Sequence, residues 1–205
     1  MLAELQAQID ALRADTSVRA VVISGAGKAF CAGHDLKQMT RGRQAEDGGK
    51  AYFADLFDRC ASVMTGLTRL PQPVIAQVHG IATAAGCQMV ASCDMAVAAE
   101  GTRFGVNGVN IGLFCSTPMV ALTRNIPRKK AFEMLTTGQF IEADEAETLG
   151  LVNRVVPAEA LEAEARALAA AYAYTGQVMV ENMLDRDTTE GISAFLDKRP
   201  ASWRQ

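Results

Sequence analysis

Leu2, Leu5, Ile9 and Leu12 recur at three- and four-residue intervals, the spacing that lines one face of a helix, so the chain opens on an amphipathic helix. The next apolar stretch, Arg19-Ala20-Val21-Val22-Ile23-Ser24, is short and β-branched and predicts a strand. Residues 40–50 are polar and contain glycine, which predicts a mobile loop. Phe53, Leu56, Phe57, Cys60, Val63, Met64 and Leu67 then restore the helical period. The run from Pro73 to Val78 is almost continuously apolar, the mark of a strand buried on both faces. A strand over 73–79, a helix over 86–92 and a strand over 95–99 complete the next unit. Strands alternating with helices predict right-handed β-α crossovers and a largely parallel sheet.

From Pro118 onward the pattern is helical. Pro127 suits a first helical position, Gly138 can close that helix, and Glu142 to Leu149 form another before Gly150. Residues 158–171 are alanine-rich, with Leu161 and Leu168 on one face. With neither an internal repeat nor a low-complexity linker, residues 1–205 read as a single domain, with 118–205 as its helical part.

The chain has 205 residues, 49% hydrophobic and 21% charged, enough for one sizeable core. A mean hydropathy of +0.08 fits either a buried parallel sheet or a surface buried between subunits. A net charge of −3 supplies no basic face, so nucleic acid is not an expected partner. No apolar run approaches the roughly 20 residues that span a bilayer. The start at Met1-Leu2-Ala3-Glu4 reads as helix and not as a signal peptide. Five scattered cysteines without a C-x-x-C, and only His34 and His79, make no metal-ligand pattern; free thiols in a reducing compartment are expected.

Two strands end in loops of small residues. One is Gly25-Ala26-Gly27-Lys28 running on to Phe30-Cys31-Ala32-Gly33-His34-Asp35, and the other is Gly80-Ile81-Ala82-Thr83-Ala84-Ala85-Gly86. Small residues serve any tight turn. They also admit a ligand to the backbone, and the first N–H groups of a helix have no intrahelical partner, so two such corners can converge on one oxygen.

Ala29 to Leu36, Pro73 to Asp94, Phe104 to Gly112, Pro127 to Gly138 and Glu142 to Pro157 resemble, in order and spacing, the enoyl-CoA hydratase/isomerase (crotonase) family. Ala82 to Gln88, Gly108 to Pro118 and Glu190 to Leu196 are most similar to one branch of it, the enoyl-CoA hydratase domain-containing protein 3 type. The resemblance implies an α/β, crotonase-like ββα spiral with a mostly parallel sheet over 1–117 and a helical C-terminal region. It also implies self-association as a trimer or dimer of trimers. A coenzyme A thioester, acyl-CoA or enoyl-CoA, would be the substrate or ligand, with no other cofactor. The compartment would be cytoplasmic in a bacterium and the mitochondrial matrix in a eukaryote. Family members have strands before the helix that opens this chain, and more chain near residues 170–172, so missing chain is expected at both places.

Carried over by motif, the thioester carbonyl would lie between the backbone N–H groups of Cys31 and Ala85. One such donor is typically worth ~10²–10³ in rate. The family's hydratases also use two glutamates to activate water and protonate the α-carbon. Their positions hold Gln88 and Gly108 here. An amide orients water without taking its proton, and each acid–base group is typically worth ~10²–10⁴. The resemblance therefore implies an acyl-CoA binder named for 2-enoyl-CoA hydration in fatty-acid metabolism but weak at it. The alternatives are an acyl-CoA regulator, or a family enzyme with different thioester chemistry. His34 reads as lining a pocket mouth or moving a proton, and Asp35 as a helix cap or an acid. Asn107 and Asn110 read as turn residues or substrate contacts, Ser116 as a helix start or a pocket group, and Asp94 as a turn residue beneath the sheet. Cys31 has no neighbouring base in sequence to make its thiol a nucleophile.

Overall fold

The computed structural model describes residues 1–203. Two compact units divide it, Met1–Ala169 and a smaller one from Ala170. Helix α1 (Leu2–Ala14) precedes β1 (Val21–Ser24), α2 (Leu36–Gly42) and α3 (Lys50–Leu67). Next come β2 (Val74–Val78), β3 (Ile81–Thr83), α4 (Ala85–Ser92), β4 (Met95–Ala99) and β5 (Arg103–Gly105). A 3-10 turn (Asn107–Ile111) leads to α5 (Ser116–Asn125), α6 (Arg128–Thr137), β6 (Phe140–Glu142), α7 (Ala143–Leu149), β7 (Arg154–Val156), α8 (Leu161–Leu184) and α9 (Arg186–Leu196).

The main sheet has the order β1-β2-β4-β7 with every pairing parallel. Alternation along β2 and β4 divides the core. Val74, Ala76, Val78, Ala96 and Ala98 join the larger cluster, with Val63, Leu67, Val90 and Leu122 from the helices. Ile75, Val97 and Ala99 point to the other face, against Leu161, Ala165 and Leu168 of α8. Those three helical positions fall on one stripe, which is why the alanine-rich stretch can cover the sheet. Asp94 ties β4 to β2: its carboxylate accepts from Val74 N at 2.7 Å while its own N–H donates to the Val74 carbonyl at 2.9 Å. That is the expected turn role.

A second sheet, β3-β5-β6, has β3 and β5 parallel and β5 and β6 antiparallel. Here the purely helical reading beyond Pro118 is corrected, since β6 and β7 interrupt it. Each is three residues long, too short to show a period, and each exists because a neighbouring strand supplies its hydrogen bonds. The loop expected over 40–50 is shorter, because α2 runs to Gly42; Asp47 then accepts from Gly49 N at 2.9 Å and Ala51 N at 2.8 Å to start α3. Pro127 stands one place earlier than expected, as the N-cap of α6.

In the smaller unit Asp185 caps α9, and the chain then folds back on that helix. Arg199 grips Glu190 through two bonds, 2.6 and 2.9 Å, and holds its carboxyl down to about 2. Among the described residues no helix is long and apolar enough to cross a membrane.

Candidate functional site

The site grows from the junction of β3 and α4. Ala84 has φ 52° and ψ −118°, a conformation that side-chain-bearing residues rarely adopt. Its N–H donates to the Gly105 carbonyl at 2.9 Å, and Thr83 Oγ1 donates to Asn107 Oδ1 at 2.6 Å, so β5 and its sequel pin the turn. Holding a non-glycine residue there costs about 1–3 kcal/mol. Ala84→Gly is therefore expected to stabilise the fold by about 1 kcal/mol, after about 0.4–1 kcal/mol is lost to the freer unfolded chain. The urea midpoint reads it, and a fall in that midpoint would contradict the strain.

The turn leaves Ala85 as the first residue of α4, its nitrogen lying against the upstream corner. A Cβ on Gly33, which has φ +90°, would stand 3.7 Å from Ala85 N and 3.1 Å from the Ala84 Cβ. The two corners do converge, with one correction. Cys31 forms a parallel bridge with Ala82: its N–H donates to the Ile81 carbonyl at 3.1 Å and its carbonyl accepts from Thr83 N at 3.0 Å. A donor already used by the sheet is not free for a thioester, so Cys31 is a strut holding one corner to the other. Among the described residues the backbone N–H groups of Ala85 and His34 have no acceptor.

A cavity of about 460 Å³ opens in front of these groups. Its lining takes in Cys31, Gly33, His34, Asp35, Ala85 and Met89, with Tyr52, Asp55, Leu56, Arg59 and Cys60 from α3. It leaves out Gln88, Gly108, Asn107 and Ser116. A second cavity of about 650 Å³ is lined by Leu36, Met39, Phe53, Phe57, Ile111 and Leu113, and Met39 borders both. The α3 residues were legible as a helix but not as a wall of the site. The hint lay in their spacing, because 52, 55, 56, 59 and 60 share one helical face.

Asp35 is the N-cap of α2, its carboxylate accepting from Lys37 N at 2.8 Å and Gln38 N at 3.2 Å. The neighbouring His34 is half-buried, its ring edge-on to Phe57 at 5.7 Å between centroids. Burial pushes its imidazole below the usual 6.5. The unfolded chain then binds the proton more readily than the folded one. The resulting stability is present above about pH 6.5 and is lost as pH falls through the folded value. Between pH 7 and pH 5 the wild type is expected to lose more stability than His34→Gln, read from paired urea titrations. Parallel losses would show that this imidazole titrates normally.

Gln88 is buried, and its side-chain carbonyl has no donor. Gly108 is buried in the 3-10 turn, where an added Cβ would meet the Leu113 carbonyl at 2.2 Å and Cys115 Sγ at 2.8 Å. Asn107 braces Thr83, Asn110 sits against Gly138, and Ser116 opens α5 with its hydroxyl 3.4 Å from the Phe114 carbonyl. These are contacts within the protein. Burial pushes the Cys87 and Cys93 thiols up to about 12 and raises those of Cys60 and Cys115, so these four stay protonated hydrophobes.

A mostly parallel sheet under helices, with two backbone corners meeting at one cavity, defines an α/β protein of the crotonase fold. The chain belongs to the enoyl-CoA hydratase/isomerase family, whose model matches residues 1–184. It is 44% identical over 230 positions to enoyl-CoA hydratase domain-containing protein 3, mitochondrial, of Xenopus laevis, which takes in 99% of this chain and 76% of that protein. Because 230 aligned positions contain fewer than 205 residues of this chain, the relative carries internal residues that have no counterpart here. A crystal structure of an enoyl-CoA hydratase of Mycobacterium smegmatis is 50% identical, with a TM-score of 0.78 over 100% of this chain and 88% of its own. The human enoyl Coenzyme A hydratase domain-containing protein 3 is 43% identical, with a TM-score of 0.76 over 98% and 88%.

Proposed function

We propose that this protein binds an acyl-CoA thioester whose carbonyl oxygen accepts from the backbone N–H groups of Ala85 and His34, and that it hydrates 2-enoyl-CoA poorly. The carrying observation is that these two N–H groups lack acceptors beside one cavity, while the Cys31 N–H is already used. Two backbone dipoles fixed by a strained turn and a sheet bridge need no reorganisation when charge builds on the oxygen. The residues that would move protons in a hydratase of this family are missing: Gln88 is an amide, and Gly108 has no room for a side chain. Binding and turnover are therefore separable, because the oxygen donors survive without the acid–base pair.

Calorimetry with butanoyl-CoA is expected to show saturable binding. Loss of the enoyl-thioester absorbance of crotonyl-CoA should run at least ~10²-fold below a two-glutamate enzyme. Absence of binding would overturn the reading, and rapid hydration would overturn its second half. A regulator of acyl-CoA, or an enzyme of other thioester chemistry in fatty-acid metabolism, shares the same binding step.

Self-association as a trimer or a dimer of trimers is part of the reading. The smaller unit exposes Tyr174, Val180, Leu184, Phe195 and Leu196, apolar surface of the kind subunit contacts bury. A persistent monomer in light scattering would oppose it. Five free thiols suit a reducing compartment, bacterial cytoplasm or mitochondrial matrix.

A further inference from the structure

The thioester reading leaves the cavity with a carbonyl clamp and no assigned base. We propose that the His34 imidazole fills that role, removing a proton from the α-carbon of the bound thioester. The inference rests on the proposed acyl-CoA site.

Position carries it first. His34 lines the cavity that Ala85 also lines, and its backbone N–H has no acceptor. A side chain on the residue that donates to the carbonyl oxygen starts two bonds from that donor. The α-carbon is bonded to the carbonyl carbon, so the proposal requires the imidazole of the same residue to come within roughly 3 Å of it.

Availability carries it second. The other titratable groups on this lining include Cys31, Asp35, Tyr52, Asp55, Arg59, Cys60 and the Met1 amine; that amine pairs with Glu4 at 2.9 Å, and Cys31 belongs to the strut that joins the two corners. Asp35 spends its carboxylate capping α2, and Asp55 is paired with Arg59 at 2.8 Å. The Tyr52 ring packs edge-on against Phe53, and burial holds the Cys60 thiol protonated. Among the described residues the His34 ring has no hydrogen bond and no ion pair. Among the described residues its one ring contact is a T-shaped one with Phe57, 5.7 Å between centroids. Burial keeps it unprotonated at neutral pH, as a base must be.

The step balances within the site. The lone pair of the unprotonated ring nitrogen takes the α-proton, and the C–H pair forms the C=C bond of an enolate. The carbonyl π pair moves to the oxygen, held by the two N–H groups. Return of the proton from the imidazolium reverses the step, so in D₂O the substrate exchanges hydrogen for deuterium with no net reaction.

The test is α-deuteration of butanoyl-CoA in D₂O, read by mass spectrometry, with calorimetric binding measured on the same proteins. The wild type is expected to exchange. His34→Gln, which keeps the backbone donor, should still bind saturably and exchange about 100-fold more slowly. Added imidazole should restore exchange to His34→Ala, which a merely structural role for the ring would not allow. Binding by the wild type without exchange, or unimpaired exchange by His34→Gln, overturns the inference and leaves the binding reading intact. Absence of binding by the wild type overturns both.

Discussion

Gly86→Ala is expected to destabilise the protein by about 3 kcal/mol and to weaken acyl-CoA binding by about 100-fold. The added methyl would stand 2.1 Å from the Cys31 carbonyl oxygen and 2.8 Å from both the Cys31 carbonyl carbon and its Cβ. Two of those three atoms are backbone, so no rotamer change relieves the clash. Either α4 or the upstream corner must move. Moving the corner stretches the Cys31–Ala82 bridge, whose two bonds are 3.0 and 3.1 Å. Moving α4 carries the Ala85 N–H away from the loop of Gly33 and His34, and a displacement of about 1 Å costs on the order of 10² in a positioned site. Against a typical stability of about 5–15 kcal/mol the variant should still fold, so both quantities can be measured. The urea midpoint and calorimetry with butanoyl-CoA are the measurements. An unchanged midpoint would show that the corners do not press on each other.

Placing acids at positions 88 and 108 is expected to fail to raise hydration. From sequence alone, Gln88→Glu with Gly108→Glu is the natural way to recover a hydratase. The structure makes Gly108 a packing position: any Cβ there meets the Leu113 carbonyl at 2.2 Å and the Cys115 sulfur at 2.8 Å. The same segment is closed by the Leu113 N–H donating to the Gly108 carbonyl at 3.0 Å. Gly108→Glu alone should cost about 3 kcal/mol or more, since the segment opens before a carboxylate can be placed. Gln88→Glu adds a carboxylate at a buried position whose present carbonyl already lacks a donor, and burial would favour its protonated form. Crotonyl-CoA hydration by the double variant should stay at the wild-type level or below while the urea midpoint falls. A stable double variant with rising hydration would show that the 108–115 segment has a second conformation.

These two substitutions show where sequence stopped being informative. That Gln88 and Gly108 lack acids is plain from the letters. That one of them cannot accept an acid depends on a carbonyl five residues away folding back over it. Likewise the small residues at 25–33 and 80–86 marked both corners. The sequence could not say that the Cys31 N–H is taken while those of Gly33 and His34 stay without an acceptor. Cys31 loses its donor to Ile81 because β3 lies beside it, and strand adjacency is a property of the sheet.

Local pattern by itself determined a good deal of this protein. The periods of α1, α3 and the first part of α8, the buried character of β2, the strand at β4, the Asp35 cap and the turn role of Asp94 all follow from short-range spacing and side-chain chemistry. Such features involve residues a few positions apart, so the letters carry them directly. The tertiary structure alone decided the rest. It paired three-residue β6 and β7 into sheets, drew Tyr52, Asp55 and Arg59 into the cavity wall, and sealed Gly108 under Leu113. It also left the His34 ring without a hydrogen bond among the described residues while its neighbour Asp35 was taken up by a helix. Each of these outcomes turns on which distant backbone group reaches a given atom first, and only the packed chain sets that distance.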